Sequence, residues 1–245
     1  MPHHNKIAEI TLYFWILKVL ATTLGETMGD LLSMTMDMGY VLSLAITGII
    51  LLTFLFFQVR AEKYHTTLFW ASVIGTTTVG TEISDMIDRT LHLGYFGGSV
   101  LLLSLLLITF AIWHKKEKNL RVYPINRKGL EIMFWVAVLI SNSLGTAFGD
   151  YLTDDMELSY LVGALVTSGI IGVVLALHYV PKINQVFLFW VAFIFTRPFG
   201  ATFGDFLTKP VDHGGLDLGT LNASLVTIAV FGLVLFISRK THHIE

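Results

Sequence analysis

The chain has 245 residues, of which 54% are hydrophobic and 14% charged, with a formal net charge of −2 and no cysteine. Soluble domains carry about 25% charged residues, so a chain this apolar cannot cover a water-facing surface. The absent cysteines exclude a disulfide framework, a thiolate metal site and a cysteine nucleophile, and the small net charge gives no basis for a nucleic-acid partner.

Met1 to Lys6 lead into an apolar segment without a small-residue cleavage site, so this segment reads as a first span rather than a cleaved leader. Apolar runs follow along the chain at 9–32, 40–59, 66–87, 95–114, 130–152, 160–179, 185–207 and 220–238. Each has about 20 residues, enough to cross roughly 30 Å of hydrocarbon as a helix. The runs are continuous rather than alternating, so helices and not barrel strands are expected. The predicted fold is an all-α integral membrane bundle of eight transmembrane helices. Lys115 to Lys128 reads as a solvated connection, which divides the chain into a first half (1–114), a basic cytoplasmic linker (115–129) and a second half (130–245).

One phrase recurs four times. It begins at Phe14-Trp15, Phe69-Trp70, Phe134-Trp135 and Phe189-Trp190, and fifteen residues after each tryptophan stands Asp30, Asp85, Asp150 or Asp205. Ten residues after each tryptophan is a glycine (Gly25, Gly80, Gly145, Gly200), and fourteen after it a small residue (Gly29, Ser84, Gly149, Gly204). The core phrase is G-x-x-x-[GS]-D, and each copy runs through a short connection into a second apolar run, which makes four tandem helical hairpins. The fourth connection is five residues longer. Trp15 to Trp135 and Trp70 to Trp190 are both 120 residues apart, whereas neighbouring copies alternate between 55 and 65. That longer period predicts two pseudo-symmetric four-helix halves, a plan common among secondary transporters.

Basic residues orient the bundle. Lys6, Arg60, Lys63, Lys115, Lys116, Lys118, Arg121, Arg127, Lys128, Lys182, Arg239 and Lys240 fall at the termini or in connections on one side, which is assigned to the cytoplasm together with both termini. The other side holds only Arg89 and Lys209, alongside acidic residues. The tandem Phe-Trp, G-x-x-x-[GS]-D units of two spans each resemble a family of bacterial membrane proteins described as four tandem repeats of unknown function, each with a tryptophan. The resemblance covers residues 9–238. It implies this architecture and a bacterial inner-membrane setting, and it implies no activity.

The odd-numbered spans contain Lys18, Glu26, Asp30, Glu82, Asp85, Asp150, Arg197 and Asp205. Each costs several kcal/mol facing lipid, so they are expected to face protein or water. The residue seven after each tryptophan (Thr22, Thr77, Asn142, Arg197), the two small residues and the aspartate share one helix face, within about 140° at 100° per residue. Glu26 and Asp30, four apart, and Glu82 and Asp85, three apart, project together. With Asp150 and Asp205 they make an oxygen cluster suited to a bound divalent cation such as Mg²⁺, Ca²⁺ or Mn²⁺.

Simpler readings stand beside these. G-x-x-x-[GS] spacing most often means close helix packing, and Trp15, Trp70, Trp135 and Trp190 read as anchors in the interfacial belt. The aspartates lie near the outer end of each span, where water could solvate them, or where the helix could break at glycine and let the aspartate cap a short outer segment. Pro198 predicts a kink in the seventh span. Arg197 is expected to pair with Glu26 or Glu82, and Lys18 to snorkel to the cytoplasmic surface. His3, His4, His242 and His243 at the termini, and His65, His92, His114, His178 and His213 at span ends, have no metal-binding spacing.

These features predict a secondary transporter, an exporter or exchanger, for a small inorganic cation, with the carboxylates binding cation and protons in turn and Arg197 as counter-charge. The alternatives are an organic-cation carrier with an aromatic cage, a membrane-embedded enzyme using paired carboxylates, and a non-catalytic scaffold. The lipid bilayer and the cation are the expected partners, and a homo-oligomer is compatible with the sequence.

Overall fold

Eight α-helices form where the apolar runs predict them, and no strand occurs among the described residues, which in this computed structural model are 5–180 and 182–242, the side chains of His213, Thr241 and His242 aside. His3, His4 and His243 lie outside them. The helices are α1 (Leu12–Asp30), α2 (Gly39–Arg60), α3 (Thr66–Asp85), α4 (Gly94–Glu117), α5 (Lys128–Asp150), α6 (Tyr160–His178), α7 (Gln185–Thr208) and α8 (Thr220–His242). Local chemistry sets several starts: the Thr11 hydroxyl accepts from the Phe14 amide, the Ser159 hydroxyl from Val162, and Asn184 from Val186 and Phe187.

The four helix hairpins turn by one device. Asp37, His92, Glu157 and Asp217 all adopt left-handed backbone with φ of 54–55°, and two residues later Gly39, Gly94 and Gly219 do so at φ 70–71°. The third hairpin has Ser159 at that second position, with φ −60°, and there the side chain caps the helix instead. Just before these turns α1, α3 and α5 continue into single π-helical turns, Leu31–Thr35, Met86–Thr90 and Tyr151–Asp155. Asp30, Asp85 and Asp150 therefore sit in unbroken right-handed helix and cap no amide. The expectation of a helix broken at glycine is corrected: a π-turn absorbs the strain of the helix end without releasing the backbone. α7 likewise stays continuous across Pro198.

The helices pack in cyclic order. α1, α3, α5 and α7 form an inner ring in which each touches its two neighbours, α7 closing onto α1. Each even helix lies outside the odd helix of the following repeat: α2 on α3, α4 on α5, α6 on α7, and α8 back on α1. Burial separates the two layers, since the apolar stretches of α2, α4, α6 and α8 are 17–22% buried against 67% for α5 and 56% for α7. Six helices, all but α1 and α3, are long and apolar enough to cross a membrane. α1 and α3 have lower hydropathy because they devote close to half of their length to threonine, glycine and charge, and most of that is buried by their neighbours.

The ends of the chain segments also take part. Asn5 to Ala8 lie tucked across the tryptophan end of the bundle: the Lys6 amide donates to the Ile125 carbonyl at 3.0 Å, and the Tyr64 amide to the Asn5 carbonyl at 3.0 Å. The Lys6 ammonium pairs with Glu131 and donates to the Val59 carbonyl, while Gln58 Nε2 donates to Glu131 Oε1 at 3.0 Å. Lys6, Gln58 and Glu131 are all buried. The connection after α4 is not simply solvated, because Val122 and Ile125 are buried and the Leu120 carbonyl accepts from the Trp190 indole at 2.9 Å.

Candidate functional site

The ring is assembled by glycines that let helices meet backbone to side chain. A Cβ on Gly25 would lie 2.2 Å from Thr77 Oγ1, one on Gly80 2.9 Å from Asn142 Cβ, one on Gly145 2.5 Å from Arg197 Cβ, and one on Gly200 2.4 Å from Thr22 Oγ1. In each case the first glycine of one repeat receives the seventh-position residue of the next, and the fourth repeat receives the first. The second small residues continue the pattern: Gly29 abuts Thr81, Gly149 abuts Ala201, and Gly204 abuts Glu26. Close approach converts into hydrogen bonds, from Thr77 Oγ1 to the Ala21 carbonyl (2.9 Å), Thr22 Oγ1 to the Thr196 carbonyl (3.1 Å) and Asn142 Nδ2 to Thr76 Oγ1 (3.2 Å). Thr22, Thr77 and Asn142, predicted as a polar face, are fully buried between ring helices.

The tryptophans close one end of this ring from inside. Trp70, Trp135 and Trp190 are each 3% exposed, so their role as interfacial anchors is corrected. Each phenylalanine of the Phe-Trp pair meets the next repeat's tryptophan in three of the four junctions: Phe14 with Trp70 at 5.8 Å, Phe69 with Trp135 at 5.6 Å, and Phe189 with Trp15 at 5.6 Å. Ring pairs at these separations pack favourably, which holds the rings inward.

Charges occupy successive layers of the interior. Lys18 does not snorkel: it is fully buried, its ammonium donates to Asn142 Oδ1 at 3.0 Å and lies 4.3 Å from the centre of the Phe193 ring. Above it Arg197 pairs with Glu26 (Nη2 to Oε2, 2.6 Å) as expected, and also donates to Thr81. Arg197 Nε has no partner. Glu82 takes no part in that pair; it accepts from Thr47 of α2, and its Oε1 is buried without a partner.

All four aspartates are buried. They divide into two pairs, each bridged by a resident cation: Lys209 Nζ lies 2.8 Å from Asp30 Oδ2 and 3.1 Å from Asp205 Oδ1, and Arg89 lies 3.4 Å from Asp85 and 3.5 Å from Asp150. The single cluster of Glu26, Glu82 and the four aspartates expected from the sequence is thereby divided, because the two basic residues of that side fold inward instead of standing in the connections. Arg89 Nη1 also donates to the Tyr40 hydroxyl at 3.1 Å. Lys209 follows the end of α7; burial opposes its charge, but Asp205 and Asp30 outweigh this and hold its ammonium above the usual lysine range. Among the described residues, Glu26, Asp30 and Asp205 gather as a group of three carboxylates, each offering an oxygen within 4.8 Å of the others. Asp85 and Asp150 lie within electrostatic reach of Glu26.

Arg89 and Lys209 each follow an aspartate by four residues, the helical spacing that pairs opposite charges, and this was the signal for their role. Asp88, in the turn past α3, packs against Gly98 and accepts from Ser84 at 3.0 Å; burial lifts its carboxyl to about 6 despite the opposing pull of Ser84 and Arg89.

A family model described as Repeat of Unknown Function (DUF347) matches the chain four times, at residues 13–64, 68–119, 133–184 and 188–243. No curated protein and no solved structure matches the chain.

Proposed function

Because the chain belongs to the Repeat of Unknown Function family, whose description carries no activity, we propose a function from the site itself: a secondary transporter, exporter or exchanger, for a small inorganic cation. It spans the membrane eight times, as two four-helix halves repeated at 120 residues, and α1 and α3 are carried through the bilayer inside the other helices. The tryptophan end, rich in lysine and arginine, faces the cytoplasm of a bacterial cell, and the aspartates lie toward the opposite face.

The observation that carries this reading is the convergence of Glu26, Asp30 and Asp205 oxygens within 4.8 Å in the buried interior. Five carboxylates (Glu26, Asp30, Asp85, Asp150, Asp205) face three resident cations (Arg89, Arg197, Lys209) in ion pairs. Full ionisation leaves an excess of two negative charges, which low-dielectric surroundings do not tolerate. One divalent cation or two protons would cancel it, so the balance itself supports exchange of one for the other. Lys209 occupies the place between Asp30 and Asp205 that an arriving cation needs, and its withdrawal toward water would open that site. Oxygen-only ligands select hard cations. The aromatic-cage alternative is less favoured, because all four tryptophans are packed against phenylalanines.

The test is efflux and uptake of Mn²⁺, Mg²⁺ and Ca²⁺ in proteoliposomes under an imposed pH gradient. Wild type should move at least one of them, and Asp30→Asn with Asp205→Asn should abolish that movement while preserving a monodisperse protein. Equal transport by the double variant rules the proposal out.

A further inference from the structure

The repeats are not filled equally at the tryptophan end. α4 and α8 each reach past the odd helix they cover and touch the tryptophan of the repeat beyond. α4 does so with Trp113, fully buried and 5.7 Å from the Trp190 ring, and with Phe110 at 4.6 Å. Counting from the hairpin glycines, Gly94 and Gly219, the counterparts of Phe110 and Trp113 on α8 are Leu235 and Ser238. One turn earlier α8 still makes the equivalent contact, Phe231 lying 5.7 Å from Trp70.

Two aromatic side chains are thus replaced by a smaller aliphatic one and a hydroxymethyl group, and the space is left open. A cavity of about 370 Å³ lies there, lined by Trp70, Phe14, Leu17, Leu235 and Ser238, with Arg239, Glu9 and Tyr64 among its polar lining. Protein interiors seldom leave voids larger than a water molecule, and binding pockets are concave, mostly apolar and edged by a few polar groups. Arg239 is exposed and makes no ion pair among the described residues.

We propose that this cavity binds a small aromatic carboxylate. A flat body of indole size takes against Trp70 the place that Trp113 takes against Trp190, and its carboxylate meets the Arg239 guanidinium in the planar, two-pronged geometry that arginine offers. Glu9 on the same lining disfavours a second negative charge. The site is independent of the cation reading, since Trp70 precedes Asp85 by fifteen residues, about 22 Å along a helix.

The experiment is isothermal titration of the full chain in zwitterionic-lipid nanodiscs with indole-3-acetate, with tryptamine as the cationic control. Wild type should bind indole-3-acetate saturably and tryptamine not at all. Arg239→Gln should weaken binding about tenfold or more, the scale of one charge-assisted hydrogen bond. Ser238→Trp, which restores the indole of α4, should abolish binding and raise the thermal midpoint; Leu235→Phe, the smaller filling, should weaken binding if the tryptophan variant does not fold. Absence of saturation by wild type, or binding undiminished by both filling variants, overturns the proposal. Loss of binding in anionic-lipid discs with no effect of either filling variant would mean surface charge alone, and overturns it as well.

Discussion

Changing Arg197 to glutamine leaves Glu26, 3% exposed, with the Thr81 hydroxyl at 3.3 Å as its remaining hydrogen-bond donor. Removing one partner of a buried ion pair costs about 3–5 kcal/mol, because the other charge is stranded; for a chain of this size that is roughly 6–20 °C in thermal midpoint. Glu26→Gln strands the guanidinium in the same way, with Arg197 Nε already lacking a partner. The double variant removes both charges at once and leaves two neutral amides, so neither partner is stranded as an ion. It should lie within about 1–2 kcal/mol of wild type, so the cycle should show a favourable coupling of about 2 kcal/mol or more. Intrinsic tryptophan fluorescence during thermal unfolding in detergent reports all four proteins. Additivity of the single changes within about 0.5 kcal/mol, or an Arg197→Gln midpoint equal to wild type, would refute the reasoning that this pair is charged and interdependent.

Gly25→Ala should lower the midpoint by the 1–3 kcal/mol typical of overpacking, because its Cβ would fall 2.8 Å from the Thr77 backbone carbon, whereas Gly48→Ala, which meets nothing within 4 Å, should be neutral or stabilising. Equal midpoints for the two in the same scan would show that the ring helices are not held at that distance. Asp88→Asn should remove a pH dependence: a carboxyl lifted to about 6 favours the folded state while protonated. That contribution is complete below the unfolded value near 4 and is lost as pH rises through about 6. Unfolding scans should therefore place the asparagine variant above wild type at pH 7.5 and level with it at pH 4; parallel curves at both values would contradict the assignment.

The recurring phrase was enough to locate the ring, since fixed offsets from the tryptophan name every residue of each buried layer. The order in which helices pack was not readable from it. A hairpin whose second helix covers its own first helix has the same spacings as one whose second helix covers the next repeat, and only the packing of α2 on α3, repeated through α8 on α1, separates them. Arg89 and Lys209 follow the spans in sequence, as residues of connections do, yet their four-residue offset from Asp85 and Asp205 carries them inward. Depth along the helix alone does not fix where Lys18 points, because Asn142, on a helix 124 residues away in sequence, supplies a buried acceptor. Lys6 and Glu131 stand 125 residues apart with no local pattern linking them, so their pairing could only emerge from the fold.

The cyclic hand-over of helices has a consequence for how the chain is made. α1, which carries Lys18, Glu26 and Asp30, is made before the other seven helices, but its outer cover is α8, which is made after them. Through most of translation the first helix lacks the neighbour that shields it, and insertion into lipid on its own is unfavourable for a segment so polar. In the proposed membrane setting, the arrival of α8 is then the event that closes the outer layer over α1. A nascent chain arrested before α8 should remain a substrate for membrane quality control, however many of its hairpins are already in place.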